Sequence, residues 1–169
     1  MLSPDLLDST LRIVVATLVG VVLGLNRDLH GKPTGVRTLG LVSLGSALVT
    51  VATLDFARQY GAFDAHVDAL SRVLQGLVQG VLTGIGFIGA GVILRGTGKD
   101  RIRGLTTAAT VWTTAIVGLV CGLGEWAIVL VGVIVMLILL LFGGAFERYV
   151  RLHFGHETPD VIPPPPPAA

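Results

Sequence analysis

The sequence predicts an all-α, polytopic membrane protein of about five transmembrane helices, with the N-terminus outside and the C-terminus cytoplasmic. Three observations carry that expectation. The chain is 52% hydrophobic and only 14% charged, with a mean hydropathy of +0.80, whereas soluble domains carry about 25% charged residues. The apolar residues gather into five long blocks. Glycine supplies 23 of the 169 residues without a collagen period, a composition that suits closely packed membrane helices.

Taken in order, the blocks run over residues 11–25, 36–54, 73–94, 105–123 and 126–146. A helix needs about 20 residues to cross the hydrocarbon core. The second to fifth blocks reach that length. The first is short, and Thr10 and Arg12 extend it, the arginine reaching back to the interface. The fourth is the least apolar, because Thr106, Thr107, Thr110, Thr113 and Thr114 punctuate it. The alternative to five spans is four plus one re-entrant segment.

The loops discriminate between those counts. With five spans, Arg27, Lys32, Arg37, Arg95, Lys99, Arg101, Arg103, Arg148 and Arg151 share one side, and only Arg12, Arg58 and Arg72 fall on the other. The excess of basic residues in cytoplasmic loops sets the orientation. This divides the chain into a short external N-terminus at residues 1–10, a transmembrane domain at 11–147 and a cytoplasmic, proline-rich, disordered tail at 148–169. Five consecutive prolines, Pro163–Pro167, favour polyproline II there and cannot join a helical core. The loop over residues 55–71 reads as a short external surface segment, and Gly122, Gly124 and Glu125 make a tight turn before the fifth span.

The N-terminus lacks the basic stretch of a cleaved signal peptide, so the first apolar helix is expected to stay. Cys121 has no partner for an intrachain disulfide and reads as a small buried filler. No Asp, Glu, Lys or His lies mid-span, where proton relays and carboxylate-coupled pumps place theirs. The histidines, His30, His66, His153 and His156, show no convincing metal-site spacing. No catalytic Ser–His–Asp or Cys–His set stands out, so an enzyme is not expected, nor is a cofactor.

Gly84, Gly86 and Gly89 spell GxGxxG. As a dinucleotide fingerprint this needs a preceding strand, and here it sits late in a membrane helix. Two physical readings remain for Gly76, Gly80, Gly84, Gly86, Gly89 and Gly91. The four-residue recurrence of Gly76, Gly80 and Gly84 makes a smooth ridge for close helix packing. The density of GIGFIGAG could also break the helix and expose backbone to an ion. In the fourth span, Thr106, Thr110 and Thr113 share one face, Thr107 and Thr114 an adjacent line, and Trp112 lies elsewhere on the turn. These hydroxyls either bond back to their own helix, join helices or line a polar path. Gln75 and Gln79 add amides near the outer end of the third span.

The cytoplasmic ends supply the remaining candidates: Asn26, Arg27, Asp28, Arg37, Thr38, Arg95 and Arg103. Surface anchoring is the ordinary role of such arginines. Asp28 with Arg27 and Arg37 could instead clamp helix ends as a desolvated network, and the arginines could meet anionic lipid, phosphate or a partner protein. Nothing beyond scattered positive charge supports nucleic-acid binding.

The stretches GVVLGLNRD (Gly20–Asp28), GVRTLGLVSLGSAL (Gly35–Leu48), GIGFIGAGVILRG (Gly84–Gly96) and IRGLTTAATVWTTAIVGLVCGLG (Ile102–Gly124) resemble the MgtC/SapB family of bacterial inner-membrane proteins. The likeness covers about residues 10–145. Asp28 stands where the family usually has Glu, which keeps the charge and shortens its reach. The resemblance implies a five-span inner-membrane protein linked to growth in low magnesium, and to survival of some pathogens in macrophages. The best-studied members resemble regulators more than transporters, and one is similar to an inhibitor of the F-type ATP synthase. Many members carry a cytoplasmic ACT-like domain, whose place the proline-rich tail takes here.

Three functional readings follow. The first is a regulator linked to magnesium homeostasis that acts through contacts with a membrane protein complex or with further copies of itself, using the glycine ridge. The second is a transporter or channel for magnesium or another cation, with the fourth-span hydroxyls as lining. The third, weaker, is a membrane scaffold whose tail is the ligand. The lipid bilayer is the common partner of all three.

Overall fold

The computed structural model describes residues 4–59, 67–94 and 104–154. Its elements are five helices: α1 (Pro4–Leu29), α2 (Val36–Gln59), α3 (Val67–Leu94), α4 (Leu105–Leu123) and α5 (Trp126–Phe154). All five are long and apolar enough to cross a membrane. α4 is the shortest, and its 19 residues reach about 28 Å, just enough for the hydrocarbon core.

The helices begin and end where local chemistry dictates. α1 opens on Pro4, which has no amide proton to lose in a first turn, and carries Asp5 in the first turn and Arg27 in the last, both complementing the helix dipole. It therefore begins well before the expected span at residue 11, and residues 4–10 are part of that helix. α4 is bounded by Gly104 (φ 91°) and Gly124 (φ 84°), both left-handed. The second makes the tight turn expected at residues 122–125, with its amide donating to the Cys121 carbonyl at 3.0 Å. The external segment expected over residues 55–71 is helical in part: residues 55–59 end α2 and residues 67–71 begin α3. Residues 148–154 of the expected disordered tail likewise continue α5. Residues 60–66 and the prolines of the tail lie outside the described residues.

The chain divides into two units, Met1–Leu137 and Ile138–Ala169. In the first, α2 packs against both α1 and α4, α1 also meets α4, and α3 packs chiefly on α4. The core joins Ala16, Ala47, Val117, Cys121 and Val129, with Val19, Val120 and Val133 packed against it. Cys121 is a small buried side chain, as expected. α4 is the most enclosed of the helices and α5 the least. The second unit is described through the remainder of α5, where Phe142, Phe146 and Leu152 are exposed.

Close approach is what makes α2 central. A Cβ placed on Gly118 of α4 would collide with the Ser43 carbonyl oxygen and lie 2.8 Å from the Ser43 Cα. One on Gly20 of α1 would fall 2.5 Å from the Leu39 carbonyl oxygen. Gly24 and Gly122 meet Val36 and Thr50 in the same way. Ser43 then donates from Oγ to the Ala16 carbonyl at 2.7 Å, tying α2 to α1 inside the core.

The third-span glycines have a different setting. A carbon added at Gly76, Gly80, Gly84, Gly86 or Gly91 meets nothing within 4 Å, and one at Gly89 reaches Ala108 at an ordinary 3.6 Å. The ridge therefore serves no contact among the described residues. α3 is also helical without interruption from Val67 to Leu94, so the GIGFIGAG segment is neither opened nor broken. Residues around it extend the helical hydrogen-bond ladder on both sides, which outweighs the modest helix cost of each glycine.

These contrasts predict opposite outcomes for one substitution. Gly118→Ala forces a methyl group into the α2 backbone and is expected to destabilise by about 1–3 kcal/mol. Gly80→Ala adds a methyl to open space and is expected to be neutral or slightly stabilising. Thermal unfolding of the two purified variants in detergent measures the difference.

Candidate functional site

The polar centre of the molecule is built at the end of α1. Leu23 is fully buried and Gly24 lies against Val36, which holds this end of α1 to α2, and Arg27 is carried into the bundle, only 4% exposed. It makes four hydrogen bonds. Nε and Nη2 donate to the Pro33 carbonyl at 3.2 and 3.0 Å. Nη2 also donates to Thr107 Oγ1 at 2.6 Å, and Nη1 to Thr110 Oγ1 at 3.3 Å. One side chain thus joins α1, the α1–α2 loop and the first two turns of α4.

The acceptors are all neutral, and among the described residues Arg27 has no carboxylate partner. A guanidinium taken out of water is tolerable only when its donors are met by good acceptors. Its place in the last turn of α1 adds a favourable interaction with that helix's negative end.

Asp28 does something else. Its Oδ2 accepts from the Val36 amide at 2.9 Å, so it caps α2 from the end of α1. A Cβ on Gly35 would overlap the Asp28 carboxylate, which explains a glycine there. Between them the loop takes left-handed backbone at Gly31 (φ 60°) and, unusually, at Thr34 (φ 63°). The alternative of a network joining Asp28 with Arg27 and Arg37 is not formed among the described residues. Asp28 holds the α2 amide, Arg27 holds α4, and Arg37 and Thr38 are exposed. Asn26 is half-buried, and its carbonyl meets His30 Nδ1 at 2.7 Å. Arg95 and Arg103 lie outside the described residues.

On α4 the buried threonines are Thr107, Thr110 and Thr114, not the expected grouping of Thr106, Thr110 and Thr113. Thr106 is exposed and Thr113 half-buried. The buried trio follows a three-then-four spacing because α1 and α2 cover that side. Thr110, Thr113 and Thr114 each donate to the carbonyl four residues back, at 2.7–2.8 Å. Trp112 is 44% exposed and stands apart from this face.

A second guanidinium sits at the other end of α4. Arg12 Nη1 donates to the Gly122 carbonyl at 3.0 Å, and Nη2 pairs with Asp8 at 2.8 Å. Its Nε is buried without a partner among the described residues. By sequence Arg12 has only the reach to a bilayer interface, and the structure adds a hydrogen bond to the end of α4. α1 and α4 therefore run antiparallel, with an arginine of α1 at each end of α4.

Along α3, an open groove of about 690 Å³ is lined by Leu74, Gln75, Val78, Gln79, Leu82 and Thr83. Gln75 and Gln79 are exposed. Among the described residues no group of three or more His, Cys, Asp or Glu side chains is placed to hold a metal ion. His153 stacks on Tyr149 with ring centres 4.2 Å apart, and His156 lies outside the described residues. Arg27 as a buried hub was not legible as such, since each arginine flanking a span looks alike. The signal that could have found it is the spacing of Thr107 and Thr110 at the start of a neighbouring helix.

The model of the MgtC family matches residues 13–149. The chain is 43% identical to Protein SrpB of Synechococcus elongatus, over 88% of this chain and 80% of that protein. It is 38% identical to Protein SapB of Bacillus subtilis, over 73% of this chain and 50% of the relative. It is 35% identical to Protein MgtC of Salmonella typhimurium LT2, over 87% of this chain and 58% of the relative. The chain thus spans most of SrpB and about half to three fifths of the other two. No solved structure matches it.

Thr107→Val removes the shortest acceptor of Arg27 and leaves a buried charged donor unmet. It is expected to destabilise by about 1–3 kcal/mol, and Thr107→Ser, which keeps the oxygen, by clearly less. Thermal midpoints of the two variants against the parent protein check the order.

Proposed function

We propose, from the premise that this chain belongs to the MgtC family, that it is a membrane regulator acting through side-to-side contacts of α3. The family is broadly tied to magnesium homeostasis, and the protein is a non-catalytic, multi-pass protein of the bacterial inner membrane.

The observation that carries the proposal is the contrast between two sets of glycines. Those of α1 and α4 are used up in contact with α2. The α3 ridge of Gly76, Gly80 and Gly84 is left open on the outside of the bundle. Beside it run Gln75, Gln79 and Thr83, which line the open groove. Small residues allow a second helix to come close, and amides in lipid gain from a hydrogen-bonding partner. A membrane protein complex, or another copy of this chain, is the occupant that such a surface suits. The basic residues around the α1–α2 loop favour that end as cytoplasmic, with the N-terminus outside.

The cation-conduit reading draws less support. Thr110, Thr113 and Thr114 spend their protons on their own helix, and Thr107 and Thr110 accept from Arg27. Magnesium holds its water tightly and favours carboxylate or phosphate oxygen.

Gly80→Leu is the direct test, because it blocks the ridge while leaving the core untouched. The variant is expected to accumulate and melt like the parent, to fail to support growth in low magnesium, and to lose partners on pull-down. Unchanged growth and unchanged pull-down composition overturn the α3 interface. Protein in sealed vesicles loaded with a magnesium-sensitive dye is expected to give no flux, and protein-dependent flux that Thr110→Val abolishes overturns the regulator reading.

A further inference from the structure

We infer that the Pro33 carbonyl and the hydroxyls of Thr107 and Thr110 form a cation niche selective for guanidinium-type ions, which Arg27 fills from within the same chain. The inference goes beyond the regulatory reading, and concerns which cation the polar centre recognises.

Three features make the niche independent of the side chain that occupies it. Thr110 Oγ1 is oriented by its own bond to the Thr106 carbonyl at 2.7 Å, which directs its proton away from Arg27 and leaves a lone pair for it. Thr107 is positioned by the α4 backbone, where Gly118 and Gly122 lock that helix against α2. Pro33 is held in a loop closed on both sides: the Lys32 amide donates to the Arg27 carbonyl at 3.0 Å, and Asp28 holds the Val36 amide. The bonds that hold Thr110 Oγ1 and the Pro33 loop do not involve the Arg27 side chain.

The chemistry of the acceptors sets the selectivity. All are neutral and they converge on a planar fork, the Pro33 oxygen taking two donors and the hydroxyls one each. A guanidinium is planar, delocalised and weakly hydrated, so it gives up water readily for such a set. Mg²⁺ requires near-octahedral oxygen and releases water reluctantly, and among the described residues three protein oxygens converge here, none of them carboxylate. The magnesium connection of the family therefore does not run through this niche.

Full-length Arg27→Ala in detergent tests this. Its thermal midpoint is expected below that of the parent. Methylguanidinium at constant ionic strength should raise the variant's midpoint saturably by about 2–4 °C. The parent and the Arg27→Ala/Thr107→Val double variant should not respond, and magnesium chloride should leave all three unchanged. A missing response in Arg27→Ala, an equal response in the double variant, or a matching response to magnesium overturns the niche. A separate arm uses the parent, which folds whatever the variant does. Phenylglyoxal should modify exposed Arg37 and spare Arg27, and Thr107→Val should make Arg27 reactive. Equal modification of Arg27 and Arg37 in the parent overturns the inference. Neither arm touches α3, so failure here leaves the Gly80→Leu result to stand alone.

Discussion

At Gly118 the α4 backbone lies so close to the α2 backbone that a single methyl group would overlap Ser43. Gly20 repeats this on the other flank of α2, against Leu39. In lipid there is little hydrophobic drive to bring helices together, so van der Waals contact and interhelical hydrogen bonds must do it. Both grow steeply as backbones approach. The Ser43 bond to the Ala16 carbonyl depends on that approach, and so does the short span between Arg27 and the α4 hydroxyls. Side chains larger than glycine at these crossings would push α1 and α4 outward and leave Arg27 stranded.

The two arginines of α1 meet the two ends of α4 in different ways. α4 is short and buried, and the last carbonyls of such a helix have no intrahelical partner. Arg12 supplies a donor to the carbonyl of Gly122 at one end. Arg27 meets the hydroxyls of the first turns at the other. The charges stay near the ends of α1, where a long side chain reaches polar groups without crossing the middle of the bundle. The apolar mid-section can then remain free of ionisable side chains.

The architecture was legible in the sequence because four blocks of spanning length and a shorter first one, with basic residues alternating between their loops, leave few alternatives to five helices. Helix ends at Gly104 and Gly124 were equally plain. What a helix faces was not. Gly76, Gly80 and Gly84 and Gly118 and Gly122 both recur every four residues, and period alone does not say which set meets a neighbour inside the chain. The same holds for the threonines, whose buried line is Thr107, Thr110 and Thr114 because of where α1 and α2 lie. Charge alone offered Asp28 an arginine partner as one alternative, whereas a backbone amide at the start of α2 lies within its reach. In each case the missing information is three-dimensional adjacency, which residue types do not carry.

The partners of Arg27 also impose an order on how the protein is made. The Pro33 carbonyl is six residues away and is available as soon as the first hairpin emerges. Thr107 is 80 residues further along the chain. At a synthesis rate of roughly 5–20 residues per second, that interval lasts about 4–16 s. For those seconds the charged end of α1 has only its loop carbonyl and whatever water or lipid headgroup stands nearby. A first hairpin inserted by itself would present this guanidinium without its α4 acceptors. α4, the least apolar of the spans, brings the hydroxyls that complete the site, so Arg27 has its full set of acceptors only once α4 is in place.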